Sequence, residues 1–406
     1  MGEAGVIDDG VVVVRNDRIE AVGRLGDVAI PPQAEIIDVA EGFVLPGFVD
    51  THAHYRVARD LPGVSNAAFL ANLAYGVTTG MDVQPSTLDL LAAQELVDAG
   101  LMLGPRAFST GPGVFMNNSF KSKRHAYNVL RRYKDYYQVR NIKAYMAGSR
   151  KQRQWLIQAA RELQLMPTTE GALDMEMDLT HAVDGFSGLE HNYPLPVLYD
   201  DVVQLTARTR LAYTPTLLVT YGGPAAENYF FSRSSPHDDP KLKRFTPYAE
   251  LAPRTLRRVW QHEREYTYPA VAASARKILE AGGQVGVGAH GQLQGLGYHW
   301  ELWALASGGF TPQQALRMAT LGGAEMLGMA QDLGSVEAGK LADLVILEAN
   351  PLQSIEHSAD IKYVMKGGEM YDAETMDRVW PQQSALPQQW WWHSGPPPRS
   401  PAAISP

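Results

Sequence analysis

Cysteine is absent from this chain of 406 residues, which excludes disulfide bonds and zinc sites built from thiolates. The absence leaves the compartment open, because proteins without thiols occur in reducing and oxidising spaces alike. No apolar run reaches the length of about 18 residues that a transmembrane helix needs, so no membrane span is predicted. Basic residues are outnumbered: the formal net charge is −8, and no basic run with interleaved aromatics argues for a nucleic-acid partner.

A signal peptide is also missing from the chain as given. The N-terminus, Met1–Ala4, has neither a basic region nor an apolar core. We therefore expect a cytoplasmic protein by default, although the short N-terminus is equally consistent with a fragment of a longer protein.

The segment at residues 42–54 has the pattern of a buried strand that ends in a His-x-His motif. Side chains two positions apart on a strand point to the same face, so His52 and His54 leave the strand side by side. Their spacing suits a single metal ion, although two histidines at this distance also occur by chance. The sequence therefore predicts a metal-binding pair at the end of this strand.

Both ends of the chain are rich in short β-branched runs, whereas the middle alternates strand and helix patterns. We expect one small β-sandwich domain built from both termini, comprising residues 1–45 and 334–375. Residues 376–406 are rich in Pro and Trp and are expected to form an extended strap or a disordered tail.

The middle of the chain, residues 46–333, alternates strand and helix patterns, which predicts a parallel sheet. Eight such units fit an α/β fold, the (β/α)8 TIM-like barrel, which needs about 250 residues plus insertions. The longest insertion, from about Tyr221 to Pro269, is expected to cover one mouth of the barrel. The eight predicted strands are the His-x-His strand, Gly76–Val83, Pro105–Ser109, Asn141–Tyr145, Leu165–Glu170, Gly188–His191, Leu211–Thr216 and Gln284–His290.

Polar side chains follow four more of these strands, where barrel enzymes carry their catalytic groups. They are Lys143, Glu170, His191 and His290. Each has an ordinary explanation by itself: a surface lysine, a capping carboxylate, a hydrogen-bonded core histidine, or a histidine in a closely packed segment. Their joint appearance, one at each strand end, indicates a functional site.

The same residues carry a resemblance to a known family. The motifs PGFVDTHAH, IK and LEH at residues 46–54, 142–143 and 189–191, with the closing stretch at 311–347, resemble the amidohydrolase superfamily of metal-dependent hydrolases. The chain is most similar to the imidazolonepropionase- and prolidase-like branch, especially to amidohydrolase domains that follow a Tol-type β-propeller. Those domains share the stretch AHGQLQGLGYH that occurs here at residues 289–299.

The resemblance implies roles for the strand-end residues. His52 and His54 would bind the first metal ion, His191 matches a further histidine ligand, and Lys143 matches a lysine that is carboxylated to bridge two ions. Two positions depart from the family pattern. Glu170 stands where a histidine is usual, and His290 stands where an aspartate usually serves as ligand and proton carrier. Both replacements keep a possible ligand, but the second removes a negative charge.

These residue types permit hydrolysis near neutral pH, because zinc lowers the pKa of its water to about 7. A general base must then pass a proton to the leaving nitrogen. His290 is the first candidate, and Glu301 is the second, with a helix first-turn carboxylate as its alternative explanation. Candidates for substrate contact are Tyr145, Tyr221, Tyr229 and Arg257.

We interpret the sequence as that of a metal-dependent hydrolase in which a metal-bound hydroxide attacks a C–N bond of an amide, cyclic amide or dipeptide. The expected cofactor is one or two divalent ions, with zinc as the first choice, and the expected partner is a small-molecule substrate. Homo-oligomerisation is left open. Two alternatives remain: a lactonase or phosphotriesterase-like enzyme with the same site, and a non-catalytic interaction protein that keeps the amidohydrolase fold.

Overall fold

The computed structural model of the protein describes residues 5–57, 63–83, 88–115, 119–171, 173–255 and 258–393. The candidate Arg257 and the end of the predicted tail, residues 394–406, lie outside the described residues. The strands are β1 (Gly10–Arg15), β2 (Arg18–Arg24), β3 (Phe43–Pro46), β4 (Phe48–Ala53), β5 (Val77–Asp82), β6 (Arg106–Ser109), β7 (Asn141–Lys143), β8 (Met166–Thr169), β9 (Gly188–Glu190), β10 (Ala212–Thr214), β11 (Gln284–Val285), β12 (Leu344–Leu347), β13 (Ile361–Lys366), β14 (Glu369–Asp372) and β15 (Arg378–Trp380).

Helices follow most of the central strands. They are α1 (Ala67–Ala74), α2 (Asp89–Asp98), α3 (Lys123–Asp135), α4 (Arg150–Leu163), α5 (Met175–Asp184), α6 (Asp200–Thr209), α7 (Ala226–Arg233), α8 (Pro240–Phe245), α9 (Tyr248–Thr255), α10 (Tyr268–Glu280), α11 (Leu296–Ala306), α12 (Pro312–Arg317) and α13 (Gly323–Leu327). Among the helices that the structure describes, none has both the length and the apolar character needed to cross a bilayer.

The central strands β4 to β11 form a parallel (β/α)8 barrel. Strands β4, β5 and β6 pair in parallel, as do β7 to β11. A parallel bridge between Val114 and Ala144 joins the two groups on one side. On the other side, the Thr51 N–H donates to the Val287 carbonyl at 2.9 Å and the His290 N–H to the His52 carbonyl at 2.7 Å. These contacts close the ring, and the predicted fold class is confirmed.

The last barrel strand is shorter than its sequence pattern predicts. Regular pairing covers only Gln284–Val285 of the predicted Gln284–His290 segment. Gly288 explains why the backbone can come so close to its neighbours, since a Cβ there would lie 2.3 Å from the Thr214 methyl and 2.5 Å from the His52 Cβ. The segment therefore continues along β4 as a close-packed, irregular stretch rather than as a regular strand.

Helix α4 shows how the local sequence sets the bounds of an element. Ser149 and Gln152 form a reciprocal capping box at its start, and Gln164 ends it in the left-handed conformation with φ 59°. The apolar residues between them, among them Leu156, Ile157 and Leu163, are buried against the sheet side of the helix. Periodicity and caps therefore agree on the bounds of this helix.

A small antiparallel sheet draws its strands from both ends of the chain, in the order β15-β14-β13-β12-β3. Strand β3 from the N-terminal part pairs along the whole of β12. The β1–β2 hairpin joins the same body, because the Ile19 N–H donates to the Lys340 carbonyl at 2.9 Å. The shared core contains Ile19, Ala342, Leu344, Ile346, Met365 and Met370.

The C-terminal end of this sheet corrects the boundary expected at residue 375. Strand β15 pairs with β14, so the sheet extends to Trp380. Trp391 is then buried, and its indole N–H donates to the Arg244 carbonyl at 2.9 Å. Proline content made this part look like a strap, but the strand pairing and the buried indole fix its first half to the protein.

The Tyr221–Pro269 insertion contains α7, α8 and α9 and lies against the loops that follow the first and last barrel strands. Arg56, two residues after His54, forms an ion pair with Glu250 of α9 at 3.0 Å. Arg254 of α9 approaches the Gln292 side chain at 3.5 Å, and Gln292 follows His290. The insertion thus borders the mouth at which the predicted site residues emerge.

Candidate metal centre

Three histidine side chains converge at the end of β4. The Nε2 atoms of His52 and His54 lie 3.3 Å apart. His290 joins them from the stretch after β11, and one nitrogen of each ring lies within 4.8 Å of the others. His52 is fully buried, whereas the side chain of His54 is about one-third exposed and marks the open side of the cluster.

The backbone turns sharply at two of the site histidines. His191 has φ 68° and His290 has φ 60°, both in the left-handed region. An L-residue enters this region at a cost of about 1–2 kcal/mol, and such residues cluster at functional sites. At His290 the conformation is held by its N–H bond to the His52 carbonyl at 2.7 Å, which ties the histidine directly to β4.

Lys143, Glu170 and His191 form the neighbouring half of the site. The Lys143 ammonium donates to Glu170 Oε2 at 2.9 Å, and His191 Nε2 lies 3.5 Å from the same oxygen. His191 also contacts the histidine cluster, with ring centroids 4.9 Å from His52 and 5.1 Å from His290. The structure therefore brings all six predicted ligand candidates together, while their function as ligands stays a prediction.

Burial keeps the imidazoles of His52, His191 and His290 neutral. It is the main cause that lowers the pKa of His52 and His191 well below the usual value, with neighbouring cationic groups adding to the effect. Burial, then the charges of His54 and Lys143, lowers the pKa of His290 to about 3. A neutral imidazole keeps the lone pair that a metal ion or a proton requires.

Three carboxylates behind the cluster were missed by sequence reasoning. Glu190 accepts from His52 Nδ1 at 2.8 Å, and Asp82 lies 3.5 Å from His54 Nδ1. Asp50 accepts from the His52 N–H at 2.9 Å and from the Ala289 N–H at 3.2 Å, which joins β4 to the last strand. Strand alternation could have indicated Asp50, because it shares a face with the two histidines that follow it.

The donor set fits a divalent ion. Among the described residues, the Nδ1 atoms of His191 and His290 are buried without a hydrogen-bond partner. The facing Nε2 atoms of His52 and His54 leave room for only one hydrogen between them, whereas both lone pairs could bind a cation. Four imidazoles with one carboxylate suit zinc or a similar borderline metal.

Glu301, the second candidate for the proton carrier, has a different environment. It lies on α11, fully buried, and its two oxygens accept from the Leu217 N–H at 2.8 Å and the Leu218 N–H at 2.9 Å. These bonds cap the short helix at Leu217–Val219, while burial raises the pKa of Glu301 to about 8. None of the contacts described for Glu301 reaches the histidine cluster.

The aromatic candidates divide between the site and the insertion. Tyr221 stacks on His191 with ring centroids 4.8 Å apart, and its hydroxyl donates to Glu170 Oε1 at 3.4 Å. Tyr145 follows β7, and burial, then the charge of Glu170, raises the pKa of its phenol. Tyr229 instead packs within the insertion against Tyr266 and Tyr268.

A (β/α)8 barrel with buried imidazoles and carboxylates at its strand ends is typical of barrel proteins that bind a metal ion there. The sequence profile of the Amidohydrolase family matches residues 43–371. The chain belongs to this family.

Two curated relatives share short segments with the chain. One is the 5'-deoxyadenosine deaminase of Methanobrevibacter smithii, 36% identical over 66 residues, which are 16% of this chain and 15% of that protein. The other is the imidazolonepropionase of Shouchella clausii, 38% identical over 63 residues, or 15% and 14% of the two chains. The matched segments thus span only about one-seventh of each relative.

Solved structures resemble the protein over nearly its whole length. A molinate hydrolase has a TM-score of 0.71 at 17% identity, with 96% of each chain covered. An Xaa-Pro dipeptidase with methionine bound in its active site has a TM-score of 0.66 at 21% identity, covering 89% of this chain and 95% of the other. At these identities, the likeness establishes the fold alone.

Proposed function

We propose that the protein is a metal-dependent hydrolase that cleaves a C–N bond of a small-molecule substrate. The observation that carries this proposal is the convergence of His52, His54 and His290, with one nitrogen of each ring within 4.8 Å of the others, at the strand ends of an amidohydrolase barrel. Strand ends at this face are where barrel enzymes place their chemistry.

The described side chains can hold one or two divalent ions, with zinc as the first choice. One would be held by the pair on β4 and by His290, and the other by Lys143, Glu170 and His191. A bound ion of this type acts as a Lewis acid and lowers the pKa of water to about 7.

His290 is our first candidate for proton transfer, a role that is an alternative to binding the ion, because one lone pair cannot serve both. Burial lowers the pKa of its imidazole, so the ring is neutral and offers a lone pair. Its ring contacts both His52 and His54, with centroids 5.1 Å and 4.6 Å away. Tyr221 stacks on His191, with ring centroids 4.8 Å apart.

Glu170 and His290, the two residues that differ from the amidohydrolase pattern, offset each other in charge. Glu170 adds a carboxylate where a histidine is usual, and His290 adds a histidine where a carboxylate is usual. The number of imidazoles and carboxylates in the ligand set is therefore unchanged, and only their positions are exchanged. This conservation of charge supports a working metal site over a non-catalytic protein that has lost one.

Carboxylation of Lys143 would depend on the metal. In the metal-free protein, the Lys143 ammonium is paired with Glu170 at 2.9 Å. A carbamate at this position would replace that attraction by repulsion between two anions in a buried site. Only cations bound between them can offset the repulsion, so we infer that the modification and metal binding occur together.

The relatives suggest the type of substrate. They are named as a deaminase, an imidazolonepropionase and an s-triazine hydrolase, and one structural neighbour is named as an Xaa-Pro dipeptidase. From these names we carry over to this chain only a C–N bond in a small molecule, of an amide, a cyclic amide or a dipeptide.

The test combines metal analysis of the purified protein with a hydrolysis screen. The screen should pair substrates that share an acyl group, offered as an amide, a dipeptide and a lactone, and should include phosphotriesters. We expect bound zinc or a similar ion and hydrolysis of amide-type substrates. Activity confined to lactones or phosphoesters would favour the second enzyme class, and a protein that binds no metal and hydrolyses nothing would favour the interaction protein.

A further inference from the structure

We propose that Glu190 is a positioning residue of the metal centre, and that Asp82 has the same role in a weaker form. Glu190 faces the Nδ1 atom of His52 on β4, Asp82 faces the Nδ1 atom of His54 just after β4, and each so directs the Nε2 lone pair of that ring into the site. The proposal rests on the proposed function, because that function supplies the metal ion. The nitrogen of His52 that carries the hydrogen can nevertheless be determined without metal.

Glu190 is held rigidly behind His52. One oxygen accepts from His52 Nδ1 at 2.8 Å, and the other accepts from the Thr168 hydroxyl at 2.5 Å. Both partners are buried, with exposures of 6% for Glu190 and 1% for His52, so water does not compete for these bonds. A carboxylate that accepts from Nδ1 requires the hydrogen on that nitrogen, which leaves Nε2 without one.

Asp82 repeats the arrangement at a longer distance. It is almost fully buried at the end of β5, and its Oδ1 lies 3.5 Å from His54 Nδ1. Its other oxygen accepts from the Tyr55 N–H at 2.8 Å, which holds the loop just after His54. The longer distance predicts a weaker hold on His54 than Glu190 has on His52.

The two contacts together explain the geometry of the histidine pair. The Nε2 atoms of His52 and His54 face each other at 3.3 Å, and a hydrogen on His52 Nδ1 leaves the His52 Nε2 with a lone pair that points at His54. A cation between the two rings can bind this lone pair. Many metal-binding histidines donate a hydrogen bond from their second ring nitrogen to a carboxylate. Removing that carboxylate typically lowers metal affinity about 10–100-fold.

The first experiment measures zinc affinity by competition with a chelator. Glu190→Gln should bind zinc about 10–100-fold more weakly than the wild type. Asp82→Asn should show a smaller loss. Asp178→Asn is the matched control, because Asp178 is a buried carboxylate on α5 with an exposure of 2% and no described contact with an imidazole. Its zinc affinity should stay near that of the wild type.

Equal zinc affinity in Glu190→Gln and the wild type, with both folded, would overturn the proposal, as would an equal loss in Asp178→Asn. If Glu190→Gln does not fold, Thr168→Val takes its place, since it leaves the carboxylate but removes the hydroxyl that holds it. A weaker zinc affinity in that variant supports the proposal, and an unchanged affinity counts against it.

The second experiment records the nitrogen chemical shifts of the histidines in the metal-free protein. We expect His52 to carry its hydrogen on Nδ1 in the wild type and to lose this preference in Glu190→Met, which has no oxygen to accept from that nitrogen. A carboxylate that only fills the barrel interior would leave the tautomer unchanged, and that result would contradict the proposal. Because neither metal nor substrate is present, this outcome is independent of whether the protein proves to be a hydrolase.

Discussion

Burial decides the protonation of the histidines that meet at the strand ends. His290 has its pKa lowered to about 3, and His52 and His191 are shifted in the same direction. Each ring is therefore neutral at pH 7, although cationic groups surround it. A site of this kind has lone pairs to offer but little negative charge of its own beyond Glu170 and the carboxylates behind the rings.

His290→Asn tests the residue that replaces the usual aspartate. We expect kcat to fall about 10²–10⁴-fold, the range that general acid–base groups contribute. Steady-state kinetics and metal analysis of the same sample measure the effect. Near-normal metal content would assign His290 to proton transfer, whereas low occupancy with partial recovery on added metal would assign it to metal binding.

The matched control for His290 is His237→Asn, because the His237 side chain lies in the insertion and is 54% exposed. Its kinetics and metal content should equal those of the wild type. Unchanged kcat, unchanged kcat/KM and full metal content in His290→Asn would rule out a role at the metal centre.

At the scale of elements, the site depends on the close approach of β4 and the stretch after β11. Gly286 and Gly288 make this approach possible, since a Cβ at either position would meet side chains at 2.7 Å or less. The absence of side chains there lets His52 and His290 share one edge of the barrel, with the His290 N–H bonded to the His52 carbonyl.

Gly288→Ala should disturb the packing of the backbone segments that hold His52 and His290. Its Cβ would lie 2.5 Å from the His52 Cβ, so one of the two segments must shift. We expect the free energy of unfolding to fall by about 1–3 kcal/mol and zinc affinity to fall with it. Urea unfolding and chelator competition measure the two quantities.

Gly297→Ala serves as the control, since it makes the same substitution within α11, where the nearest atom to the new Cβ is 3.3 Å away. It should lower the free energy of unfolding and the zinc affinity less than Gly288→Ala does. Equal stability and equal zinc affinity in the two variants would show that close packing at Gly288 does not shape the site.

At the scale of the whole molecule, an ion pair joins the barrel to the small β domain. Arg106 at the start of β6 donates twice to Asp343, from Nε at 2.7 Å and from the guanidinium nitrogen Nη2 at 3.1 Å. Asp343 is 4% exposed and also accepts from the Gly367 N–H at 2.7 Å. The contact holds together parts of the chain that are far apart in sequence.

Arg106→Ala should therefore be strongly destabilising. It leaves Asp343 buried without its cation, a change that typically costs about 3–5 kcal/mol. Chemical denaturation gives the free energy of unfolding. Arg15→Ala is the comparison, because the Arg15–Glu20 pair is exposed and screened by water, so its loss should change the free energy of unfolding far less. A similar loss in both variants would contradict a structural role for the buried pair.

Metal removal should lower the stability of the whole protein. When the free ion concentration is about 100 times the Kd, binding stabilises the folded state by about 2.7 kcal/mol. Dialysis against a chelator should therefore lower Tm. Added zinc should restore Tm, whereas magnesium, which prefers oxygen ligands, should not. A Tm that is insensitive to both treatments would contradict metal binding at the histidine cluster.

The sequence by itself determined the barrel and most of its strand ends. Alternation of β-branched runs with helical periodicity is a local property, and it located β5 to β10 to within a few residues. The His-x-His motif was readable for the same reason, because two residues on one strand need no tertiary information to share a face. Lys143, Glu170, His191 and His290 followed from their positions after strands.

Only the tertiary structure decided which groups stand behind the ligands. Glu190 reaches His52 from β9, and Asp82 approaches His54 from β5, so neither contact follows from spacing along one strand. The sequence left Glu301 as the second candidate for the proton carrier, and only the fold shows that the Leu217 and Leu218 N–H groups donate to it. Local sequence sets periodicity and strand ends, but the partner of a buried polar group is chosen by the closing of the barrel, which brings distant strands into contact.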